Sequence, residues 1–181
     1  GNALAMTTTI ENAFGSRQMV NRGHGLAGGF LLNNQLSDFS FQPTDEAGRP
    51  VANRVQPGKR PRSAMAPTLV FDKHSGRLLM SVGSSGGTMI IHSVAKTLYG
   101  VFNWGLDIQR AIALPNFGNF GEGALLMEEA GFPESTVQFL RDRGHAISKV
   151  RVPTGLQGIT RTPAGFFSGS DPRREGIVAG D

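Results

Sequence analysis

The sequence predicts an α+β fold in a single domain covering residues 1–181. Short apolar runs typical of strands come first, segments of helical spacing follow, and further strand-like runs come last. Hydrophobic residues make up 39% of the chain, which is enough for a proper core. The 25 glycines show no period, which indicates a loop-rich globular protein. Neither an internal repeat nor a linker interrupts the chain, so we expect one domain.

The first part of the chain is predicted to form short strands joined by loops. Residues 3–10 are rich in small and β-branched types and predict a strand, which residues 11–16 end. Phe30–Gln35 predicts a second short strand with a polar end, and residues 42–57 lack apolar periodicity and predict an exposed loop. A mobile loop is predicted between these strands from the glycines at 23, 25, 28 and 29.

A hairpin leads into a glycine-rich loop and a helix. Thr68–Asp72 and Arg77–Val82 predict paired strands, and residues 88–104 have the apolar spacing of a helix. Between them lies Val82-Gly83-Ser84-Ser85-Gly86-Gly87-Thr88. Such a loop can present free backbone N–H groups to a phosphate, a carboxylate or a developing oxyanion, or it can be only a tight turn. It lacks the lysine of a nucleotide-binding P-loop, which disfavours that function.

Two further helices are predicted from their ends. Asp107 is suited to the N-cap of a helix over residues 108–113, which Pro115 ends. A helix over Pro133–Arg143 has proline in its first turn and glycine after its last residue. The apolar face of this second helix is predicted to comprise Val137, Phe139 and Leu140.

The last part of the chain is predicted to return to strands. Ile147–Val152, Gly158–Arg161 and Phe166–Gly169 have strand-like composition, and residues 162–165 form a turn between the last two. Asp171–Gly176 is predicted to be a polar tail.

Charge and composition exclude several functions. The net charge is +4, and the densest basic cluster, residues 59–62, is short enough to be a solvated surface feature, so no nucleic-acid partner is expected. The chain has no cysteine and its four histidines lie far apart, so neither a disulfide nor a metal site is predicted. No apolar run is long enough to span a bilayer, and no membrane partner is expected. Composition leaves the compartment open between cytoplasm and periplasm.

Six segments in order carry a resemblance to a known family. Together they resemble the small subunit of bacterial gamma-glutamyltransferases (gamma-glutamyltranspeptidases), a family that includes related cephalosporin acylases. The similarity covers essentially the whole chain, and the ordered set is far more specific than any one motif. The segments are residues 1–3, 7–16, 31–39, 58–68, 83–87 and 169–173.

This resemblance implies the αββα sandwich of the N-terminal-nucleophile hydrolases, of which this chain would supply part. In the family a precursor cuts itself into a large and a small subunit. The new N-terminal threonine of the small subunit then attacks gamma-glutamyl amides such as glutathione, without a cofactor. That threonine's segment should lie before Gly1, so the chain by itself is expected to be inactive and to need its partner. A periplasmic or secreted location is implied, with the cytoplasm as the alternative.

The resemblance also implies roles for catalytic residues. Thr9 matches a second threonine whose hydroxyl supports the nucleophile; by its residue type alone it would be an ordinary strand residue. Gly86 and Gly87 match the pair whose N–H groups form the oxyanion hole, which agrees with the chemistry inferred from the loop itself.

The substrate-binding residues are implied in the same way. Gln35 and Asp38 match polar groups that hold the substrate's α-amino end, although polar residues there also suit a turn. Ser63 matches a serine that bonds the α-carboxylate, and Met65 lines that region, where by itself it would be assigned to the core.

Two of the substrate positions depart from the family pattern. Glu11 stands where many members have asparagine. Ala64 replaces a second serine and so removes one hydroxyl donor from the carboxylate site. Two alternatives to gamma-glutamyl transfer therefore stay open: an acylase acting on glutaryl-type amides, and an inactive remnant that binds an anionic ligand at the glycine loop.

Overall fold

The computed structural model describes residues 1–21, 23, 28–121 and 123–180. These residues form two compact units. The main unit comprises Gly1–Thr7 and Ala64–Asp181, and the small unit comprises Thr8–Ser63. The expectation of a single domain stays a prediction. In the part of the chain that is described, no helix has the length and apolar character needed to cross a membrane.

The elements of the described residues follow the predicted order of strands, helices and strands. The strands are β1 (Met19–Val20), β2 (Phe30–Leu31), β3 (Thr68–Phe71), β4 (Leu78–Gly83), β5 (Phe117–Gly118), β6 (Leu125–Glu128), β7 (Ile147–Val150), β8 (Gln157–Thr162) and β9 (Gly165–Ser170). The helices are α1 (Ile90–Phe102), α2 (Ile108–Ala113) and α3 (Glu134–Arg141).

A four-stranded antiparallel sheet in the order β3-β4-β8-β9 is the centre of the main unit. Met80 and Val82 of β4 point to one face, where they pack against Ile90 and Val94 of α1 and Ile112 of α2. The helices cross closely, since a Cβ on Gly100 would lie 3.0 Å from the Cβ of Ala111. One face of the sheet is therefore covered by helices, as an α/β layer requires.

The opposite face of this sheet carries the amino-terminal residues. The hydroxyl of Ser81 donates a hydrogen bond to the backbone oxygen of Leu4 at 3.2 Å. Thr7 lies beside Gly83, its hydroxyl oxygen 3.6 Å from the position of a Cβ there. The predicted strand over residues 3–10 is wrong, because both edges of β4 are already paired with β3 and β8. Residues 4–7 lie across the face of the sheet and pair with no strand, so their β propensity has no effect here.

Most predictions based on local signals are confirmed. The hairpin β3–β4 pairs Thr68 with Val82, and α1 begins two residues later than predicted, after a 3₁₀ turn. Helix α2 has its predicted bounds, and the Asp107 carboxylate accepts the Arg110 N–H at 2.8 Å. The predicted strands near the end of the chain are β7, β8 and β9.

The main unit also contains a second, three-stranded sheet in the order β5-β6-β7. β6 and β7 are parallel, with Leu125 opposite Ile147, and α3 forms the crossover between them. Strands β5 and β6 were not predicted. They have two and four residues and lie near glycines, so they show too little alternation of apolar and polar residues to be recognised. The predicted apolar face of α3 is partly wrong: Val137 is buried, but Phe139 is exposed and lies under the guanidinium of Arg143.

The small unit has little regular structure. β1, which was not predicted, pairs with β2, and β2 has two residues rather than the six predicted. The predicted loop over 42–57 is confirmed, with only isolated bridges such as Thr44 to Pro50. Within the predicted glycine loop, Gly25 lies outside the described residues.

Candidate active site

The glycine loop joins β4 to α1 in a conformation that favours glycine. Gly86 has φ 128° and Gly87 has φ 63°, both in the left-handed region. Among the described residues, no hydrogen bond occupies the N–H group of either glycine. Nothing lies within 4 Å of the position that a Cβ on Gly87 would take. The loop therefore has two adjacent N–H donors available to a negatively charged atom.

The residues that precede β8 hold the glycine loop in position. Ser85 and Gly155 exchange backbone hydrogen bonds, with N···O distances of 3.4 and 3.2 Å. Gly86 lies directly on Thr154, because a Cβ on Gly86 would be 3.3 Å from the Cα of Thr154. The position of the two N–H groups thus depends on Thr154.

Thr154 is in turn fixed by a buried carboxylate. The Thr154 hydroxyl donates to the Asp171 carboxylate at 2.7 Å, and the Leu156 N–H donates to the same oxygen at 3.0 Å. Burial opposes the charge of Asp171, but the hydrogen bonds from Leu156, Thr154 and Arg173 outweigh it and hold the pKa below its ordinary value. Asp171 therefore acts as an ionised anchor for the segment beneath the loop.

Arg173 completes the charge balance of this buried cluster. Its Nη1 lies 3.0 Å from Asp171, and its Nε lies 2.6 Å from Glu128 of β6. Although burial disfavours the charge of Arg173, its bonds to Glu128 and Asp171 raise the pKa. Its Nη2 also donates to the backbone oxygen of Leu114 at 3.0 Å, so it neutralises the carbonyl end of α2.

The prediction that residues 171–176 form a polar tail is therefore wrong for Asp171 and Arg173, while residues 174–176 are exposed. Asp171 is 1% exposed, and it lies inside the main unit rather than in solvent. Local sequence gives no sign of this, because Asp171 bonds residues 17 and 15 positions earlier and Arg173 bonds Glu128 and Ile112, 45 and 61 positions earlier.

Lys96 of α1 is a second buried cation at the end of α2. Its ammonium donates to the backbone oxygens of Ile112 at 3.1 Å and Leu114 at 2.7 Å. Burial, assisted by the charge of Arg173, lowers the pKa of Lys96 from 10.5 to about 8, against the opposing effects of Asp171 and Glu128.

The pKa of Lys96 predicts a pH-dependent contribution to stability. Between pH 8 and 10.5 the folded state releases this proton while the unfolded state keeps it, so stability rises with pH in that window. Relative to Lys96→Met, the wild-type protein should gain about 2 kcal/mol of stability between pH 7.5 and 9.5. Thermal midpoints of both proteins at the two pH values measure this. Lys149→Met, at an exposed lysine, is the matched control; an unchanged difference for Lys96→Met would contradict the assignment.

Thr9 and Glu11 lie together in the small unit. The Thr9 hydroxyl oxygen accepts the N–H of Glu11 at 2.8 Å, and Glu11 has a left-handed φ of 75°. The side-chain amide of Asn34 donates to the Glu11 carboxylate, and its oxygen accepts the N–H of Asn12 at 3.0 Å. Asn34 therefore joins the segment of Thr9 and Glu11 to the start of the next predicted site segment.

Gln35 and Asp38 are the first and last residues of a 3₁₀ turn. The N–H of Gln35 donates to the side-chain oxygen of Asn33 at 3.0 Å, and Asn53 donates to the backbone oxygen of Asp38 at 2.7 Å. Both residues are half-buried. Within the described residues, the Asp38 carboxylate itself has no hydrogen-bond or ion-pair partner.

The remaining predicted residues lie where the chain passes from one unit to the other. Ser63 is exposed and ends the small unit. Ala64 packs against the core of the main unit, and Met65 is half-buried. In the described part of the chain no group of three acidic or histidine side chains could hold a metal ion.

Two supporting residues were not assigned a role from the sequence. Asn53 lies in a loop without periodicity, and Thr154 precedes a strand by several residues. Asn34 was placed only within the polar end of the strand predicted over Phe30–Gln35. For all three residues the informative signal is a long-range hydrogen bond, which has no counterpart in local sequence.

The comparisons with known proteins agree along the whole chain. The sequence profile of the gamma-glutamyltranspeptidase family matches residues 1–181. The glutathione hydrolase proenzyme of Escherichia coli K12 is 33% identical over 182 residues, covering 96% of this chain and 30% of the relative. The glutathione hydrolase proenzyme of Bacillus subtilis 168 is 34% identical over 183 residues, covering 99% of this chain and 29% of the relative. This chain thus spans about 30% of the length of these relatives.

A solved structure has the same fold. Acivicin-inhibited gamma-glutamyltranspeptidase superposes with a TM-score of 0.82 at 32% identity, covering 97% of this chain and 94% of that one. The helix-covered sheet and the glycine loop at its strand-to-helix junction thus belong to an N-terminal-nucleophile hydrolase, which confirms the predicted α+β class. The family profile makes the assignment narrower. The chain belongs to the gamma-glutamyltranspeptidase family.

Proposed function

We propose that this chain is the small-subunit portion of an enzyme that transfers or hydrolyses gamma-glutamyl groups of glutathione and related amides. The observation that carries this proposal is the glycine loop. Gly86 and Gly87 have left-handed φ angles and N–H groups without an acceptor among the described residues. A tetrahedral intermediate of acyl transfer requires such preorganised donors.

In the proposed reaction an N-terminal threonine, contributed by a segment before Gly1 in the processed precursor, attacks the gamma-carbonyl carbon. Its α-amine takes the hydroxyl proton, and the carbonyl oxygen becomes an oxyanion bound by the N–H groups of Gly86 and Gly87. Collapse of this intermediate breaks the amide bond, and the leaving amine receives the proton. Water or an acceptor amine then attacks the resulting ester and releases the threonine. Thr9 would support the nucleophile through its hydroxyl.

The substrate's α-amino-acid end is assigned to the small unit and the segment after it. Asp38 supplies a carboxylate without a described partner for the α-ammonium, with Gln35 on the same 3₁₀ turn. Ser63 is assigned to the α-carboxylate, and Met65 to the wall beside it. Glu11 is assigned to the same end of the substrate. Ala64 contributes no hydroxyl, which weakens the selection for the carboxylate.

The partner of this chain is proposed to be the large subunit of the same precursor. The curated relatives are proenzymes of which this chain spans about 30%. Numerous apolar side chains of the described residues are exposed, including Leu4, Phe41 and Ile177, and a second subunit would cover part of this surface. The proposed location is the periplasm or the exterior of the cell.

The proposal is tested with the complete two-chain enzyme and gamma-glutamyl-p-nitroanilide. Sustained release of p-nitroaniline, accelerated by an acceptor such as glycylglycine, is the expected result. A correctly assembled enzyme that binds this substrate but never turns it over would instead identify the chain as part of an inactive binding protein.

Asp38→Asn is expected to lower kcat/KM for gamma-glutamyl-p-nitroanilide by roughly tenfold to a hundredfold. The substitution keeps the shape of the side chain and removes its charge, and hydrogen bonds to charged groups are worth about 1.5–3 kcal/mol. The corresponding glutaryl anilide has no α-ammonium, so kcat/KM for this substrate should fall much less. Steady-state kinetics with both substrates measure the difference.

Asp45→Asn is the matched control for this prediction. Asp45 is another carboxylate of the small unit, and it bonds its own loop and Arg49 at 2.8 Å. Asp45→Asn should leave kcat/KM for both substrates nearly unchanged. If Asp38→Asn lowered the turnover of the two substrates equally, Asp38 would be a structural residue of the turn and not an ammonium ligand.

A further inference from the structure

Asn53 makes three hydrogen bonds that join separate segments of the small unit. Its side-chain nitrogen donates to the backbone oxygen of Asp38 at 2.7 Å. Its side-chain oxygen accepts the N–H of Arg62 at 3.1 Å. Its own backbone oxygen accepts the N–H of Ser40 at 2.9 Å. One half-buried amide thus contacts the end of the 3₁₀ turn and the residue immediately before Ser63.

Both segments lie outside the strands of the small unit, where the Lys59 ammonium adds a further bond, to the backbone oxygen of Ala52 at 2.7 Å. The turn Gln35–Asp38 has no side-chain cap, and residues 55–63 form neither helix nor strand. The bonds from Asn53 span 15 and 9 positions of the chain. Segments without a ladder depend on such side-chain bonds for their position, and Asn53 links Asp38 directly to Arg62, the neighbour of Ser63.

The chemistry of the side chain suits this position. The backbone oxygen of Asp38 requires a hydrogen-bond donor, and the N–H of Arg62 requires an acceptor. An asparagine amide supplies both in a single plane. Aspartate would supply acceptors only. The two needs together also fix which end of the amide faces which partner.

We propose that Asn53 is a positioning residue that determines selectivity for the α-amino-acid end of the substrate. It does so by holding the ammonium-binding Asp38 and the carboxylate-binding Ser63 at a fixed separation. A gamma-glutamyl group has its ammonium and carboxylate on the same carbon atom, so both ligands must converge on one point. Small displacements of one ligand are then costly to binding. This inference rests on the proposed function, because the roles of Asp38 and Ser63 belong to it.

Two substitutions in the complete two-chain enzyme separate the two side-chain bonds. Asn53→Asp keeps the acceptor for the Arg62 N–H and removes the donor to Asp38. Asn53→Ala removes both. Asn21→Asp is the matched control, since Asn21 is an exposed residue of the same unit whose side-chain oxygen accepts the nearby Gly23 N–H. The substrates are gamma-glutamyl-p-nitroanilide, with ammonium and carboxylate, and glutaryl-p-nitroanilide, with the carboxylate alone.

Asn53→Asp is expected to raise KM for the gamma-glutamyl substrate about threefold to tenfold, the range of one lost hydrogen bond. Its kcat should change less than twofold, and KM for the glutaryl substrate should also change less than twofold. Asn53→Ala should raise KM for both substrates, because the carboxylate segment is released as well. The thermal midpoint of Asn53→Asp should stay close to that of Asn21→Asp.

Three results would overturn the inference. In the first, Asn53→Asp has the same KM for the gamma-glutamyl substrate as Asn21→Asp. In the second, both substrates lose activity equally and the thermal midpoint falls, which would make Asn53 a purely structural residue. Either result leaves the proposed function intact, since the wild-type enzyme is active. In the third, the wild-type enzyme turns over neither substrate; the proposed function then fails, and the role of Asn53 fails with it.

Discussion

Gly86→Ala is expected to lower kcat of the two-chain enzyme about a hundredfold or more. A Cβ at this position would lie 3.3 Å from the Cα of Thr154, and the φ of 128° is one that alanine rarely adopts. Thr154 cannot yield, because Asp171 holds its hydroxyl at 2.7 Å. The loop must move instead, and the loss of one oxyanion donor costs about 10²–10³ in kcat. Steady-state kinetics with a gamma-glutamyl anilide measure the effect.

Two glycine substitutions separate this displacement from simple backbone strain. Gly87 and Gly76 have φ angles of 63° and 66°, and nothing lies within 4 Å of the position that a Cβ would take on either residue. Each substitution therefore introduces only left-handed strain of about 1–2 kcal/mol. Gly87→Ala should lower kcat less than tenfold, and Gly76→Ala, in the β3–β4 turn, should leave kcat unchanged. A kcat for Gly86→Ala within threefold of that for Gly76→Ala would exclude the proposed oxyanion hole.

Arg173→Leu is expected to destabilise the enzyme by about 3–5 kcal/mol, or to prevent assembly altogether. The side chains of Arg173 and Glu128 are each 16% exposed, and that of Asp171 is 0% exposed. Removal of the guanidinium leaves two buried carboxylates without the cation that bonds them directly. The thermal midpoint and the yield of assembled enzyme measure the loss. Arg173→Lys keeps the charge and should retain enough stability to be measured.

Arg110→Leu is the matched control for this experiment. Arg110 forms an ion pair with Asp107, but its side chain is 78% exposed. Exposed pairs contribute about 0–1 kcal/mol, so the thermal midpoint should hardly change. Equal midpoints for Arg173→Leu and Arg110→Leu would show that the buried cluster does not stabilise the fold.

Features with local causes could be predicted from the sequence. The Asp107 cap, the β3–β4 hairpin and the spacing of α1 each depend on residues within a few positions of one another. The glycine loop was identified for the same reason. The fold class followed from the order of these elements, and the comparisons confirm it.

Features with distant causes could not be predicted. β6 exists because Leu125 pairs with Ile147, and nothing near Leu125 indicates this partner. Asp171 and Arg173 are typical of a solvated tail until their distant partners are known. The partners of Asp171 are Thr154 and Leu156, and those of Arg173 lie on β6 and α2. Asn53 is likewise an ordinary loop residue in sequence. Its proposed importance depends on Asp38 and Arg62, which lie 15 and 9 positions away.

The Arg173 cluster also has a consequence for the order in which the chain folds. Its contacts to Glu128 and Ile112 close loops of 45 and 61 residues. While the chain is being synthesised, the carbonyl end of α2 and the Glu128 carboxylate exist before their cation has left the ribosome. Closure of long loops is slow and entropically unfavourable. The nascent main unit should therefore stay loosely packed around α2 and β6 until residue 173 emerges, and chaperones would have their longest access to it in that interval.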